Sequence, residues 1–525
     1  MIFKIFKLIR YFLLTLFILA SAYAINFYEG STLIFIIYCL SFILMFFYLT
    51  NEKSTYFEII FSFYLFMGFW SKYIYSLIWR SGKVIESGQK FSNNIDQILL
   101  IGIFIALVCL FASYVNKQII KIKVLIYEKN IKKSFFETCY LDNKLFILLV
   151  FGLSFSAIGF LNIRLGIYQR GFINSHQIDP IISNLIKWLL MFGFTTFSCF
   201  MIHTEILYRK KIGSSLILLA IIELFISYTS ILSRMFVINV SFLLLPISKE
   251  IIRLKNNINK FFVIFPLVIL FLSAFSLYIV NEVRLNKMKL VSTEVNLKKL
   301  STIEDPKKAL EIIVELDSDW ISPDSPERLN PDNFAKFKKE YAKKEKAKKM
   351  GLFIPEKHKS INVITDVVFK RWIGLDSLIA VYNFEGKSFK FLIKALDEKK
   401  TNTLSTFYEK IFNLKKLIIK TDLVTMKGNS LPGIISFLYY SGNLYFVLFV
   451  LFLLVVFFSN VERFIIKVTN NNLIFCCFIS NLIASRLINF GYAPKDSYLF
   501  LISILLSILM MIFLQKASNI NTYKK

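Results

Sequence analysis

The stretch "LFILLVFGLSFSAIGFLNIRLGIYQR", Leu145–Arg170, holds no charge until Arg164 and sets Arg164 and Arg170 just beyond its apolar part. A hydrocarbon core of about 30 Å needs about 20 consecutive apolar helical residues, so the run over 145–161 reads as a membrane span. Similar runs occur at 11–28, 31–49, 56–78, 97–115, 181–202, 214–230, 233–247, 261–280, 433–458, 473–489 and 497–513. The pattern predicts an all-α polytopic membrane protein of about twelve spans. Composition agrees: 56% of the 525 residues are hydrophobic, 57 are phenylalanine and the mean hydropathy is +0.59, against roughly 45–50% apolar residues in soluble domains.

The net charge of +28 matches the same layout. Segments such as "KIFKLIR", "NKQIIKIKVLIYEKNIKK", "YRKK", "KEIIRLKNNINK" and the tail "NTYKK" all fall on one side of the predicted bundle, which the positive-inside rule makes cytoplasmic, with both termini there. Lysines that alternate with apolar spans, beside outer-loop charges of mixed sign, read as membrane topology and not as a nucleic-acid surface. The start, "MIFKIFKLIRYFLLTLFILASAYA", has the look of a secretory signal, but a second span comes at once, so the first is expected to remain as an anchor.

The chain divides into three regions: a bundle of about nine spans over 1–280, an outer loop over 281–432 and about three further spans over 433–525. Within the loop, "PDNFAKFKKEYAKKEKAKKM" reads as a solvated helix. Ile364, Val367, Val368, Trp372, Leu375 and Ile379 recur at helical spacing in "INVITDVVFKRWIGLDSLIAVYNFEG", which predicts an amphipathic helix. "SFKFLIKAL" and "LSTFYEKIFNLKKLI" predict two shorter ones.

Several chemistries lack their residues. The six cysteines avoid the long outer loop, so it is not a disulfide-held domain. The histidines, His176, His203 and His358, lie far apart, without HExxH or CxxC, and neither GxxxxGK[ST] nor GxGxxG occurs. No metal, nucleotide or other cofactor is expected.

Arginine is the informative residue, because lysine outnumbers it 51 to 12. A position that keeps arginine needs the planar fork, which binds phosphate bidentately as a lysine point charge does not. Arg80, Arg164, Arg170, Arg234, Arg284, Arg328, Arg371 and Arg486 fall on the outer side or at its interface. Of these, Arg164, Arg170, Arg234, Arg284, Arg371 and Arg486 are candidates to bind an anionic group, with snorkelling to lipid phosphates as the plainer role. His176 is a further candidate.

Inside the apolar runs, Glu223 stands out, since a carboxylate at that depth needs a cavity, a partner or a packing hydrogen bond. Asn481, Ser485 and Asn489 form a polar stripe that must face the bundle interior. Trp372, Tyr439 and Tyr440 are candidate sugar-stacking rings, although interfacial aromatic belts use the same residues.

The layout of many spans and one dominant late outer loop, with Ser233-Arg234 opening a span, "RWIGLD" in the loop and "LPGIISFLYYSGNLYF" leading into the next span, resembles the Wzy-type O-antigen or oligosaccharide repeat-unit polymerases. The paired pattern of an arginine with glycine eleven residues later, known in some members, is absent, since Tyr382 stands eleven residues after Arg371. The resemblance implies a metal- and nucleotide-independent glycosyltransferase of the bacterial inner membrane. It would join polyprenyl-pyrophosphate-linked repeat units at the outer leaflet, with a chain-length regulator as a protein partner. Arginines would hold the departing pyrophosphate, and Asp376 or Glu223 would take the proton of the attacking hydroxyl. An O-antigen ligase shares this chemistry and layout. A lipid-oligosaccharide flippase also has about twelve spans, but a long outer loop suits it less.

Reporter fusions test the orientation. Fusions after Lys260 and Lys467 are expected to report cytoplasm and one near Lys346 periplasm; a cytoplasmic signal at Lys346 would reverse the sidedness of every candidate arginine.

Overall fold

In a computed structural model, residues 2–80, 94–120, 133–170, 172–174, 179–254, 264–284, 372–399, 406–411, 418–420, 424–427 and 431–516 are described. His176, Arg328, Arg371, the lysine-rich segment 331–350 and Ile364, Val367 and Val368 lie outside them. The described chain is almost entirely helical, and its exposed flanks are apolar, as a membrane-embedded protein requires.

Among the described residues, seven helices are long and apolar enough to cross a membrane: Thr32–Leu49, Ile95–Gln118, Lys144–Leu165, Pro180–Arg209, Ile264–Arg284, Leu444–Val468 and Pro494–Lys516. Arg10–Ile25, Ser214–Ser230 and Leu473–Ile488 are apolar but shorter. The expected run over 433–458 is divided: a short helix Gly433–Leu438 and a tight turn through Tyr439–Ser441 precede the Leu444–Val468 helix. Gly442, at φ 72°, supplies the left-handed break, and Asn443 caps the new helix by accepting from Phe446 N–H at 3.1 Å.

Hydrogen bonds gather the helix ends into two sets. In one, Ser31 N–H bonds Asp96 at 3.0 Å, Tyr382 meets Gln97, Arg170 N–H bonds Ile231 O at 2.9 Å and Gly433 N–H bonds Phe490 O at 3.1 Å. In the other, Lys117 Nζ bonds Tyr48 O at 3.0 Å and Arg463 bonds Asn116 O at 3.1 Å, while Glu462 accepts from Tyr56 N–H at 2.8 Å and Phe57 N–H at 2.6 Å. The candidate arginines among the described residues belong to the first end.

One small sheet adds to the helical expectation. Strand β1 (Phe172–Asn174) continues the chain beyond Arg170, and it pairs antiparallel with β3 (Val424–Lys427), which also pairs with β2 (Ile418–Lys420). The register sets Phe172 opposite Met426. Where the sequence pattern predicts helix through "LSTFYEKIFNLKKLI", the helix covers Phe407–Ile411 and Ile418 already belongs to β2; the β-branched Ile418 and Ile419 favour the strand.

Of the amphipathic helix expected through Trp372, Leu375–Tyr382 is helical and Trp372–Gly374 is not; the part before Trp372 lies outside the described residues. The non-helical Trp372–Gly374 backbone is pressed against the helix that runs from Tyr56 to Arg80. That helix widens into a π-helical turn at Phe66–Ser71, where two glycines allow the approach. A Cβ on Gly68 would lie 2.1 Å from Ile373 O, and one on Gly374 would lie 2.1 Å from Gly68 O. Backbone faces backbone, with no flexible side chain to yield.

Gly68→Ala and Gly374→Ala are therefore each expected to destabilise the detergent-solubilised protein by about 1–3 kcal/mol, visible as a lower Tm. Gly152→Ala, whose Cβ would meet only Leu219 Cδ1 at 3.9 Å, should leave Tm unchanged.

Candidate functional site

The loop that carries Arg170 is built by one buried side chain. The Lys144–Leu165 helix stops at Gly166, which takes φ 63° and turns the chain. Asn162, fully buried one turn earlier, fastens the loop beyond the turn: its Oδ1 accepts from Tyr168 N–H at 2.8 Å, and its Nδ2 donates to Tyr168 O and Ser230 O at 3.0 Å each. The loop is thus tied to the end of the Ser214–Ser230 helix. Immediately after that helix, Ile231 to Ser233 make a turn in which Leu232 adopts φ 54°, an uncommon conformation for a bulky residue.

Arg170 and Arg284 lock that turn. Arg170 donates its N–H to Ile231 O and its guanidinium to Ser233 Oγ at 3.3 Å. Arg284, at the end of the Ile264–Arg284 helix, donates to Leu232 O at 2.7 Å and Arg170 O at 2.9 Å. Arg234 comes next in the same turn, and both it and Arg170 lie within electrostatic range of Arg284. Arg486 reaches the group from the Leu473–Ile488 helix; it donates to Ser497 Oγ at 3.0 Å and Tyr492 O at 3.3 Å, sits 5.9 Å above the Phe500 ring and feels Arg170 and Tyr168. Lys187 stands 5.1 Å over the Tyr168 ring.

Arg170, Arg234, Arg284 and Arg486 thus converge from separate places in the sequence. Among the described residues, none of the four is ion-paired with a carboxylate. The Nε atoms of Arg234, Arg284 and Arg486 are buried without a hydrogen-bond partner. Like charges gathered in a partly dry place, with donors left over, suit an anionic ligand.

The floor beside this cluster is polar. Tyr64, within electrostatic range of Arg170, donates to Asn481 Oδ1 at 3.0 Å, and Asn481 in turn bonds Asn239. Asn481 is buried, so the polar stripe of that helix does turn inward. Trp372 packs its ring on Phe63 and Tyr64, with centroids 5.8 and 5.9 Å apart.

The remaining candidates fall elsewhere. Arg164 is exposed in the last helical turn before Gly166, in the position of a lipid-facing anchor. Glu223 is fully buried and accepts from Ser227 Oγ at 2.9 Å and Thr195 Oγ1 at 3.3 Å, which joins two helices. Tyr440 is packed among Phe437, Phe391 and Phe407 at 5.1, 5.2 and 6.3 Å, and its ring faces are taken. Asp376 is buried in an ion pair with Lys72 at 2.7 Å. Lys72, Asn162 and Tyr64 do not stand out in the sequence; only the unusual polarity of Asn162 just past one apolar run and of Lys72 within another could have marked two of them. Among the described residues, no three His, Cys, Asp or Glu side chains converge as metal ligands would.

No protein-family model matches the chain, and no curated protein or solved structure is significantly similar to it.

An anion that completes the cluster binds the folded state alone and should stabilise it. Millimolar inorganic pyrophosphate is expected to raise the Tm of the purified protein above that in chloride of equal ionic strength, and Arg234→Gln should remove most of that rise. Equal shifts in both proteins would place the anion elsewhere.

Proposed function

We propose that the arginine end of the bundle binds the pyrophosphate of a polyprenyl-linked glycan, and that the protein transfers the glycan onto a second lipid-linked repeat unit, as a surface-polysaccharide polymerase of the Wzy type. The observation that carries this reading is the convergence of Arg170, Arg234, Arg284 and Arg486 with three buried, unpartnered Nε atoms and no carboxylate partner among the described residues. Such a cluster suits a doubly phosphorylated leaving group: cationic donors fixed before the reaction stabilise the charge where it develops. The glycosyl–pyrophosphate bond is already activated, so the transfer needs no nucleotide.

In this reading twelve helices cross the inner membrane of a bacterium, with the lysine-rich end and both termini in the cytoplasm and the arginines at the outer leaflet. The two sets of helix ends support an alternation, since the connection ending at Ser31 falls in one set and the next, between Tyr48 and Tyr56, in the other. An O-antigen ligase would use the same cluster; the product separates the two, as a polymerase yields a ladder and a ligase a single transfer to another lipid.

Purified protein in nanodiscs, given lipid-pyrophosphate-linked repeat units, is expected to form a ladder without added metal or nucleotide. Arg234 offers the cleanest substitution, because no hydrogen bond of its guanidinium within the described structure would be lost with it. Arg234→Lys keeps the charge but loses the fork, and a loss of about 1.5–3 kcal/mol slows transfer roughly 10- to 150-fold. Arg164→Lys and Arg209→Lys should be silent. A fully active Arg234→Lys would remove the pyrophosphate site from this cluster.

A further inference from the structure

The segment Trp372–Tyr382 starts inside the bundle, against Tyr64, and runs to the end where Tyr382 meets Gln97. Counting 1.5 Å per residue from Tyr56, Tyr64 lies about 12 Å and Lys72 about 24 Å along an apolar thickness of about 30 Å. Trp372 packs on Tyr64, and Tyr382 meets Gln97 at the first turn of the Ile95–Ile120 helix. Non-helical backbone at such depth persists only where it is enclosed by protein or lines a polar cavity. Here Lys72 Nζ reaches the segment twice, at Trp372 O (2.8 Å) and Asp376 Oδ2 (2.7 Å).

That pair is incomplete on the side away from Lys72. Asp376 is 7% exposed, yet its Oδ1 is buried and accepts no hydrogen bond; Trp372 Nε1, on the same segment, is buried and donates none. One orphaned acceptor and one orphaned donor each cost free energy unless a ligand satisfies them. A hydroxyl group does both, since it donates and accepts. A second cation or anion would not, and the ion pair already balances the local charge. The Trp372 ring is occupied by Phe63 and Tyr64, which leaves its N–H, not its face, for a ligand.

The segment also adjoins the arginine site. Tyr64, under Trp372, lies within electrostatic range of Arg170. Ser377 Oγ bonds Ser436 Oγ at 3.0 Å, and Gly433, three residues earlier, bonds Phe490 O just past the helix of Arg486.

We propose that Asp376, Lys72 and Trp372 form the acceptor subsite, which takes a sugar hydroxyl of the incoming repeat unit. This rests on the transfer reading above and assigns the proton acceptor that the sequence leaves open between Asp376 and Glu223. The hydroxyl oxygen bonds to the anomeric carbon of the donor as that carbon's bond to the pyrophosphate oxygen breaks with its electron pair. The hydroxyl proton passes to Asp376 Oδ1, and the lipid pyrophosphate leaves facing the arginines. Lys72 is a positioning residue that holds the Asp376 carboxylate in place through the 2.7 Å contact; Trp372 Nε1–H steadies the acceptor sugar. Glu223, bonded to Ser227 and Thr195, belongs to helix packing.

The test uses full-length protein in nanodiscs, with labelled donor and varied acceptor repeat unit. Asp376→Asn is expected to lower kcat about 100-fold or more, the usual weight of a general base, while the pyrophosphate-induced rise in Tm stays at the wild-type value. Lys72→Met should lower kcat and Lys72→Arg recover much of it. Trp372→Phe keeps the packing against Phe63 and Tyr64; it should raise the acceptor KM about 2- to 10-fold, the weight of one hydrogen bond, with kcat within about twofold. Asp376→Asn at near wild-type rate overturns the subsite, as does an unchanged KM in Trp372→Phe, which decides the matter if Asp376→Asn fails to fold. Wild-type protein that forms no product at all, or a fully active Arg234→Lys, overturns the transfer reading instead.

Discussion

The Asn162 carboxamide is the joint on which the arginine end depends. Where a helix end is enclosed by other segments, as at Asn162, its carbonyls and amides must be satisfied by the protein itself. One buried side chain serves three backbone groups, in Tyr168 and Ser230, and so fuses the end of one helix to the end of another. The chain beyond this joint inherits its position: the Arg170 amide bonds Ile231 O, Arg284 closes over the Leu232 turn, and β1 runs on to meet β3.

The cluster built on this joint is electrostatically incomplete. Four guanidinium groups repel one another, and those that are buried lose hydration as well. The fold tolerates this because several donors are spent on carbonyls and hydroxyls, so that Arg284 and Arg486 are held by neutral acceptors and not by carboxylates. Neutral partners fix a guanidinium in place without cancelling its charge. A cation held that way remains available to an anion, whereas the Lys144–Glu205 pair at the opposite end is neutralised by its own protein.

Much of the candidate site was legible as a set of residues without an arrangement. The scarcity of arginine marked Arg170, Arg234, Arg284 and Arg486, but it marked Arg164 equally, and only the turn at Gly166 separates an exposed Arg164 from an enclosed Arg170. Tyr440 read as a ring at an interface; the folded chain surrounds it with three phenylalanines, a contact between segments that no local pattern encodes. The amphipathic spacing through Trp372 and Leu375 was real, yet the chain is not helical at Trp372, because close backbone packing at Gly68 and Gly374 outweighs local periodicity.

By itself, the sequence determined that the chain is helical and embedded in a membrane, since apolar runs of this length have no other solvent that suits them. It also determined that the unusual arginines fall near span ends, for a charge cannot sit at mid-depth without a partner. The tertiary structure decided which of them meet, and it set Lys72 against Asp376. Those outcomes turn on residues remote in sequence, Asn162 with Ser230, Gly68 with Gly374 and Arg284 with Leu232. Hydrogen bonding and steric fit act over a few ångströms of space, and sequence spacing does not measure that distance once the helices have packed.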